Sequence, residues 1–139
     1  MTAYMPQSET VEWGTPQALF DSLDAEFGFT LDAAASDNNH KVVKYLTVKD
    51  NALEHDWPGV VWLNPPYGRV LNSWMRKAYE QHLKGSTVVC LVPARTDTAW
   101  WHDYAMRGEI RFIRGRVKYV RADGFSDSAP FGSAIVVFR

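Results

Sequence analysis

The apolar run Val60-Val61-Trp62-Leu63 passes straight into Asn64-Pro65-Pro66-Tyr67-Gly68. β-Branched and aromatic residues in the run favour a buried strand. Two successive prolines have no N–H to offer a ladder, so the strand must end as Asn64 begins. An amide, two rigid rings and an aromatic at the end of a buried strand make a fixed mouth, with an acceptor on its rim and a flat ring beside it. That equipment suits a planar amine. An exocyclic amine on a base is a poor nucleophile because its lone pair is delocalised into the ring. Acceptors for both of its N–H groups make the nitrogen more tetrahedral and free the lone pair. The Asn64 side-chain oxygen and the Pro65 carbonyl supply those acceptors, Pro66 keeps the backbone rigid, and Tyr67 is placed to stack on a base face. The plain alternative is a proline turn that closes a strand, with Asn64 capping it.

The remaining pattern builds a sheet around that strand. Thr15-Pro16 reads as a cap with proline at the first helical position, leading a helix through Gln17–Phe27 with Leu19, Phe20, Leu23 and Phe27 at helical spacing. Gly28 ends it, and Phe29–Ala34 is expected to run as a short strand into a small-residue turn. Val42–Val48 reads as a second strand or edge segment, and 49–59 as loop. A helix is expected over Leu71–Lys84, stopped by Gly85. Thr87–Val92 is continuously apolar, as a central parallel strand is. A short helix over Thr98–Met106, strand pieces at Ile110–Ile113 and Val117–Val120, and a last strand at Ala134–Phe138 complete the order. Strands alternating with helices argue for an α/β fold with a parallel core, and ligands of such sheets bind at the carboxyl ends of the strands. Asp32 and Asn64 both fall at such ends.

With 139 residues, 46% of them hydrophobic, one compact domain is expected. Residues 1–12 read as a loose arm and 13–139 as the domain. Cys90 lies alone inside the apolar run, which excludes an internal disulfide and fits a reducing compartment. The N-terminus shows no signal-peptide pattern and no run is long enough to span a bilayer, so a cytoplasmic chain is expected, without membrane contact. Net charge is -1 but unevenly spread. Residues 1–60 hold ten acids against three lysines, and 61–139 hold twelve bases against six acids. Arg107–Arg121 is the densest basic stretch. It is expected to meet an anionic partner, with a solvated edge as the alternative. His40, His55, His82 and His102 are dispersed and the single cysteine cannot build a cluster, so no metal is expected. Two further segments carry weaker signals. Leu31-Asp32-Ala33-Ala34-Ala35-Ser36 puts an acid before small residues that let a nucleotide-like ligand approach the backbone. Asp50-Asn51 offers a polar edge, most simply as a turn.

Trp13-x-Thr15-Pro16, Leu31-Asp32-Ala33-Ala34-Ala35, Asn64-Pro65-Pro66-Tyr67-Gly68, Leu91-Val92-Pro93-Ala94-Arg95 and Gly115-Arg116, in this order, resemble the phage-type Dam family of DNA N6-adenine methyltransferases. The likeness covers residues 11–139. It implies a Rossmann-like methyltransferase sheet, S-adenosyl-L-methionine as cofactor, and double-stranded DNA in a bacterial host cell as partner. It places Trp13, Thr15 and Pro16 near the methionine end of the cofactor, Asp32 and Ala33 in the first cofactor loop, and Asp50 or Asn51 by the adenine. Asn64 then serves both cofactor and target amine, with Pro65, Pro66 and Tyr67 completing the catalytic mouth. Arg69, Arg95, Arg111, Arg114, Arg116 and Lys118 are the cations expected on DNA. This chain carries Asn51 where members of the family often have an acid. Only thirty-two positions separate Asp32 from Asn64, so no separate target-recognition domain is expected. Sequence reading would then come from loops, from the basic stretch, or from the second subunit of a homodimer. A protein glutamine amide or an RNA base is another planar amine that the mouth fits. A binding module without catalysis is the reading from a different class.

Overall fold

The computed structural model describes residues 14–121 and 123–139. Trp13 and the expected arm over 1–12 lie outside the described residues. Among the described residues, seven strands and three helices follow one another as α1 (Gln17–Phe27), β1 (Leu31–Asp32), β2 (Val60–Leu63), α2 (Leu71–Leu83), β3 (Thr87–Pro93), α3 (Ala99–Asp103), β4 (Glu109–Phe112), β5 (Lys118–Val120), β6 (Ser126–Ser128) and β7 (Ser133–Phe138). Five strands form a mixed sheet in the order β1-β2-β3-β7-β4, and β5 and β6 form a separate antiparallel ribbon.

The parallel core is the β1-β2-β3 half. Asp32 pairs with Trp62, and Leu63 with Cys90, in parallel register. β7 then runs antiparallel to both β3 and β4. Because two reversals restore direction, β4 points the same way as β1, β2 and β3. The carboxyl ends of all four therefore lie along one edge of the sheet. The β2-α2-β3 segment is a βαβ unit, which requires a crossover helix because parallel neighbours cannot be joined by a tight turn.

Period-two alternation assigns the two faces of the sheet. Val61, Leu63, Val88, Cys90, Val92, Ala134, Val136 and Phe138 face α2 and α3, packing with Leu71, Met75, Ala78, Trp100 and Trp101. Trp62, Val89, Leu91, Ile135 and Val137 face the opposite way. There they meet Phe20 and Leu23 of α1, Phe29, and Val117 and Tyr119 of the ribbon strand. Each face of the sheet is thus covered by a helix, as the apolar stretches require.

The expected elements are present with three differences. The Val42–Val48 segment makes an edge rather than a full strand: Tyr45 forms one parallel bridge to Asp32, flanked by hydrogen bonds from Asp32 N to Lys44 O (3.0 Å) and from Leu46 N to Asp32 O (2.9 Å). Two 3₁₀ turns, Val48–Asp50 and Ala52–Glu54, joined by Asn51 at φ 53°, lead into the loop expected over 49–59. The pieces on either side of Gly115-Arg116 belong to different sheets. Positive φ at Gly115 turns the chain out of β4 and lays β5 over the second face, where the unanticipated β6 pairs with it. Ser126-Asp127-Ser128 is exposed and carries no hydrophobic alternation, so its pairing leaves no periodic trace.

Gln81 holds the loop under α2. Its buried side chain accepts from Trp57 N at 2.6 Å and donates to Asp56 at 3.1 Å. Replacing Gln81 with Met keeps the volume but leaves the buried Trp57 N–H unpaired, which costs about 1–3 kcal/mol. Urea unfolding of Gln81→Met is expected to show that loss as a lower midpoint with an unchanged slope.

Candidate functional site

The edge where the parallel strands end holds the residues singled out by sequence. β2 stops at Leu63, and Asn64 emerges half-buried, beside the buried Pro65. Gly68 at φ 99° then turns the chain toward α2, a conformation that a side chain would strain. One strand over, Asp32 ends β1. Its backbone is fixed on both sides, by β2 and by the Tyr45 edge, so its side chain is aimed by the sheet.

Asp32, Asn64, Thr15 and Gly14 converge on one hollow, whose wall also includes Ala34, Asn39, Lys41 and Trp62. Asp32 is 3% exposed. Its carboxylate accepts from Lys41 N at 2.9 Å and from Ala34 N at 3.4 Å. Burial holds this carboxyl above the usual aspartate range, against the opposing pull of those two N–H groups and of the nearby His40 and Lys41 charges. Burial likewise lowers Lys41, whose ammonium donates to Gln17 at 2.7 Å. An incompletely compensated carboxylate facing an open hollow favours a cationic or hydrogen-bond-donating guest.

Asn64 is oriented by a residue 49 positions away: its Nδ2 donates to Thr15 Oγ1 at 3.1 Å. With the amide nitrogen so engaged, Oδ1 is turned toward the acceptor role. Thr15 is 3% exposed, placed there by Gly14, which pairs with Val120 of the ribbon (2.6 and 3.0 Å). Pro16, rather than Thr15, is the N-cap of α1, so the helix starts at Gln17, one position later than its sequence pattern indicates. Tyr67 is half-buried. Its ring meets Phe131 and Tyr119 edge-on, at 5.6 and 6.2 Å between centroids. Its hydroxyl lies 2.6 Å from the Tyr119 hydroxyl and 3.4 Å from Asn64 Oδ1. Burial first, and Tyr119 second, raise the Tyr67 hydroxyl well above the usual phenol range, so it stays protonated.

Other residues named from sequence have different settings. Ala33 is fully buried and its N–H continues the β1-β2 pairing to Trp62 O. The Asp50 carboxylate caps its own 3₁₀ turn, accepting from Thr47 N at 2.7 Å and Thr47 Oγ1 at 3.1 Å; these bonds hold it below the usual range. Asn51 makes the left-handed joint beside it. Neither is part of the hollow's wall. Arg111 grips Glu26 of α1 with two bonds of 2.6 and 2.7 Å and also pairs with Glu109, its guanidinium lying over Phe27. These contacts place it between β4 and α1. Arg95 lies over Phe131. Arg69, Arg114, Arg116 and Lys118 are exposed and form no ion pair with a described residue. Arg69, Arg95, Arg114 and Arg116 come after the carboxyl ends of β2, β3 and β4 in the chain. Tyr119 and Lys41 were not singled out from the sequence. Tyr119 is an alternating residue of a three-residue strand, and no local signal relates it to Tyr67, 52 positions away.

Among the described residues no group of three or more His, Cys, Asp or Glu stands ready to hold a metal ion, and no helix is long and apolar enough to cross a membrane. A family model described as DNA N-6-adenine-methyltransferase (Dam) matches residues 2–139. A protein of Escherichia phage T1 named DNA N-6-adenine-methyltransferase is 37% identical over 129 residues, which cover 74% of this chain and 54% of that protein. A protein of the same name from Haemophilus phage HP1 (strain HP1c1) is 30% identical over 142 residues, covering 87% of this chain and 82% of that protein. The chain therefore spans about half the length of the phage T1 relative and most of the phage HP1 one. Its match runs almost end to end and includes every segment that forms the hollow and the mouth: the chain belongs to the DNA N-6-adenine-methyltransferase (Dam) family.

Proposed function

We propose that the chain transfers a methyl group from S-adenosyl-L-methionine to the N6 amine of adenine in double-stranded DNA. The observation that carries this reading is the convergence of Asn64 and Asp32 on one edge of the sheet. A mouth built for a planar amine stands beside a hollow walled by a buried carboxylate. Helices on both faces and strands ending along a common edge support a Rossmann-like reading of the sheet, in which ligands bind at the carboxyl ends.

The residues around the hollow fit the proposed cofactor. Asp32 is a buried carboxyl on the wall of the hollow, suited to an ammonium or a ribose hydroxyl. Thr15, Gly14 and Lys41 add polar groups on the same wall. Bound there, S-adenosyl-L-methionine supplies an electrophilic methyl group on a sulfonium. The chain's own contribution is positioning and electrostatics. Asn64 Oδ1 and the Pro65 carbonyl accept from the two N–H groups of the adenine amine. As the nitrogen develops positive charge, those acceptors interact with it more strongly, and the gain is specific to the transition state. Thr15 keeps the Asn64 amide from turning its N–H₂ toward the target. Tyr67, anchored by its hydroxyl, presents ring surface to an extrahelical base. Arg69, Arg95, Arg114, Arg116 and Lys118 supply phosphate contacts around the mouth. Arg111 acts through Glu26 and Glu109 as a structural clamp.

Transfer of labelled methyl from S-adenosyl-L-methionine to unmethylated duplex DNA, with nucleoside analysis of the product, tests the reading. N6-methyladenine is the expected product. Cofactor binding without label in DNA would move the substrate to an RNA base or a protein amide.

Asn64→Ala is expected to abolish turnover while calorimetry still detects the cofactor, because the hollow keeps Asp32 and Thr15. Neutralising Arg114 and Arg116 together should reduce the slope of log Kd for DNA against log salt by about two, near 0.9 for each phosphate that is no longer neutralised. An unchanged slope assigns both arginines to a structural role. Asp32→Asn gives a signature in pH. Burial raises Asp32 in the folded chain, so folding favours its protonated form. That contribution to stability is full below the ordinary aspartate value and is lost as pH rises through the raised folded value. Asparagine does not titrate, so the Tm of the variant should gain on that of the native chain as pH rises out of the acid range. Its cofactor binding should fall, because an amide offers a proposed ammonium or ribose hydroxyl no charge.

A further inference from the structure

The wall of the hollow carries two opposite charges that are held apart. Asp32 and Lys41 both line it. The main-chain N–H of Lys41 donates to the Asp32 carboxylate at 2.9 Å, while its side chain leads away to α1, where the ammonium donates to Gln17 Oε1 at 2.7 Å. One end of this lysine therefore serves the acid, and the other stands at the first residue of a helix. Gln17 is a neutral amide, and among the described residues the ammonium forms no ion pair. An ammonium has three N–H groups to donate. An α-amino acid bears an ammonium and a carboxylate on one carbon, so a single guest can answer both charges of the wall. We propose that Lys41 binds the carboxylate at the methionine end of S-adenosyl-L-methionine, with Asp32 on the ammonium, so that the hollow selects the cofactor by its zwitterion.

The surroundings of Lys41 favour an anion. Burial lowers its ammonium, and the Asp21 and Asp32 charges offset that only in part. A carboxylate guest completes the offset, because opposite charges attract more strongly where water is partly excluded. Gln17 is itself held: its Nε2 donates to Asp21 at 2.8 Å, which leaves Oε1 to Lys41. The lysine is thus aimed before a guest arrives, and less side-chain freedom is lost on binding. α1 opens at Gln17 with no side-chain cap and no acid in its first turn, so the helix start adds to the same preference. Asp32 is fixed independently of the lysine side chain, by its strand pairing and by the main-chain N–H groups of Ala34 and Lys41. Removing the ammonium therefore leaves the acid where it is.

The inference rests on the proposed cofactor, and its test separates the two. Titration calorimetry compares S-adenosyl-L-methionine with its decarboxylated form, which keeps the adenosine, the sulfonium and the amine. Both compounds are titrated into the native chain and into Lys41→Met. The native chain is expected to bind the intact cofactor at least about tenfold more tightly, the range of a hydrogen bond between charged groups. Lys41→Met should weaken the intact cofactor by a similar factor and leave the Kd of the decarboxylated form within about twofold, so that the preference collapses. Lys41→Arg keeps the charge and should keep part of the preference. Should Lys41→Met not fold, Lys41→Gln is read in the same way. A loss of equal size for both compounds assigns Lys41 to holding the loop and overturns the proposal. So does a preference that survives the loss of the ammonium, or a native chain that binds both compounds equally. A native chain that binds neither compound overturns the cofactor reading, and this inference with it.

Discussion

Strand β2 is paired on both edges and buried on both faces, and the site depends on where its ladder stops. Leu63 is the last residue whose neighbours are satisfied by β-pairing. Pro65 and Pro66 have no N–H, so the chain has to leave the sheet there, in a direction set by rigid rings. A polar residue at that point is held by buried neighbours but not consumed by the ladder. Asn64 occupies that point. The parallel register then puts Asp32 opposite Trp62, so the acid and the amide face one hollow from adjacent strands. Shifting the register by one residue would turn Asp32 to the other face and separate the two groups.

A second constraint comes from the ribbon. The five-stranded sheet has an apolar second face that α1 alone does not cover, and Val117, Tyr119 and Phe131 fill the remainder. Burying a tyrosine there requires a partner for its hydroxyl, and Tyr67 meets that need from the mouth. Core packing and site geometry are thus one arrangement: the same hydroxyl contact that makes Tyr119 tolerable in the core fixes Tyr67. The N-terminal segment is pinned by the other edge of the same strand, through Gly14, and so delivers Thr15 to Asn64.

The charge split has a structural part. Arg111 and Glu26, 85 positions apart, join the basic and acidic halves, with Arg139 and Glu109 extending the network over Phe27. Exposed pairs of this kind contribute little individually, but a two-bond guanidinium–carboxylate grip fixes the angle between α1 and β4. Arg69, Arg95, Arg114 and Arg116 come after the ends of β2, β3 and β4 in the chain.

The sequence by itself determined the strands with continuous or alternating apolar residues, the two long helices, and the mouth. Each of these is a local pattern: proline ends a ladder wherever it stands, and helical spacing declares a buried face. Asp32 and Asn64 were legible as residues at strand ends for the same reason. Tertiary structure alone decided which distant residues complete the site. Thr15 on Asn64 and Tyr119 on Tyr67 are contacts across 49 and 52 positions, fixed by the antiparallel return of β7 and by the fold-back of the ribbon. Arg111 shows the converse. It reads from sequence as one more cation in a basic stretch, and only the packing of β4 beside α1 brings Glu26 to it. Side-chain periodicity reports how a residue faces its own element, whereas its partner depends on how the elements are stacked, and that information is spread over the whole chain.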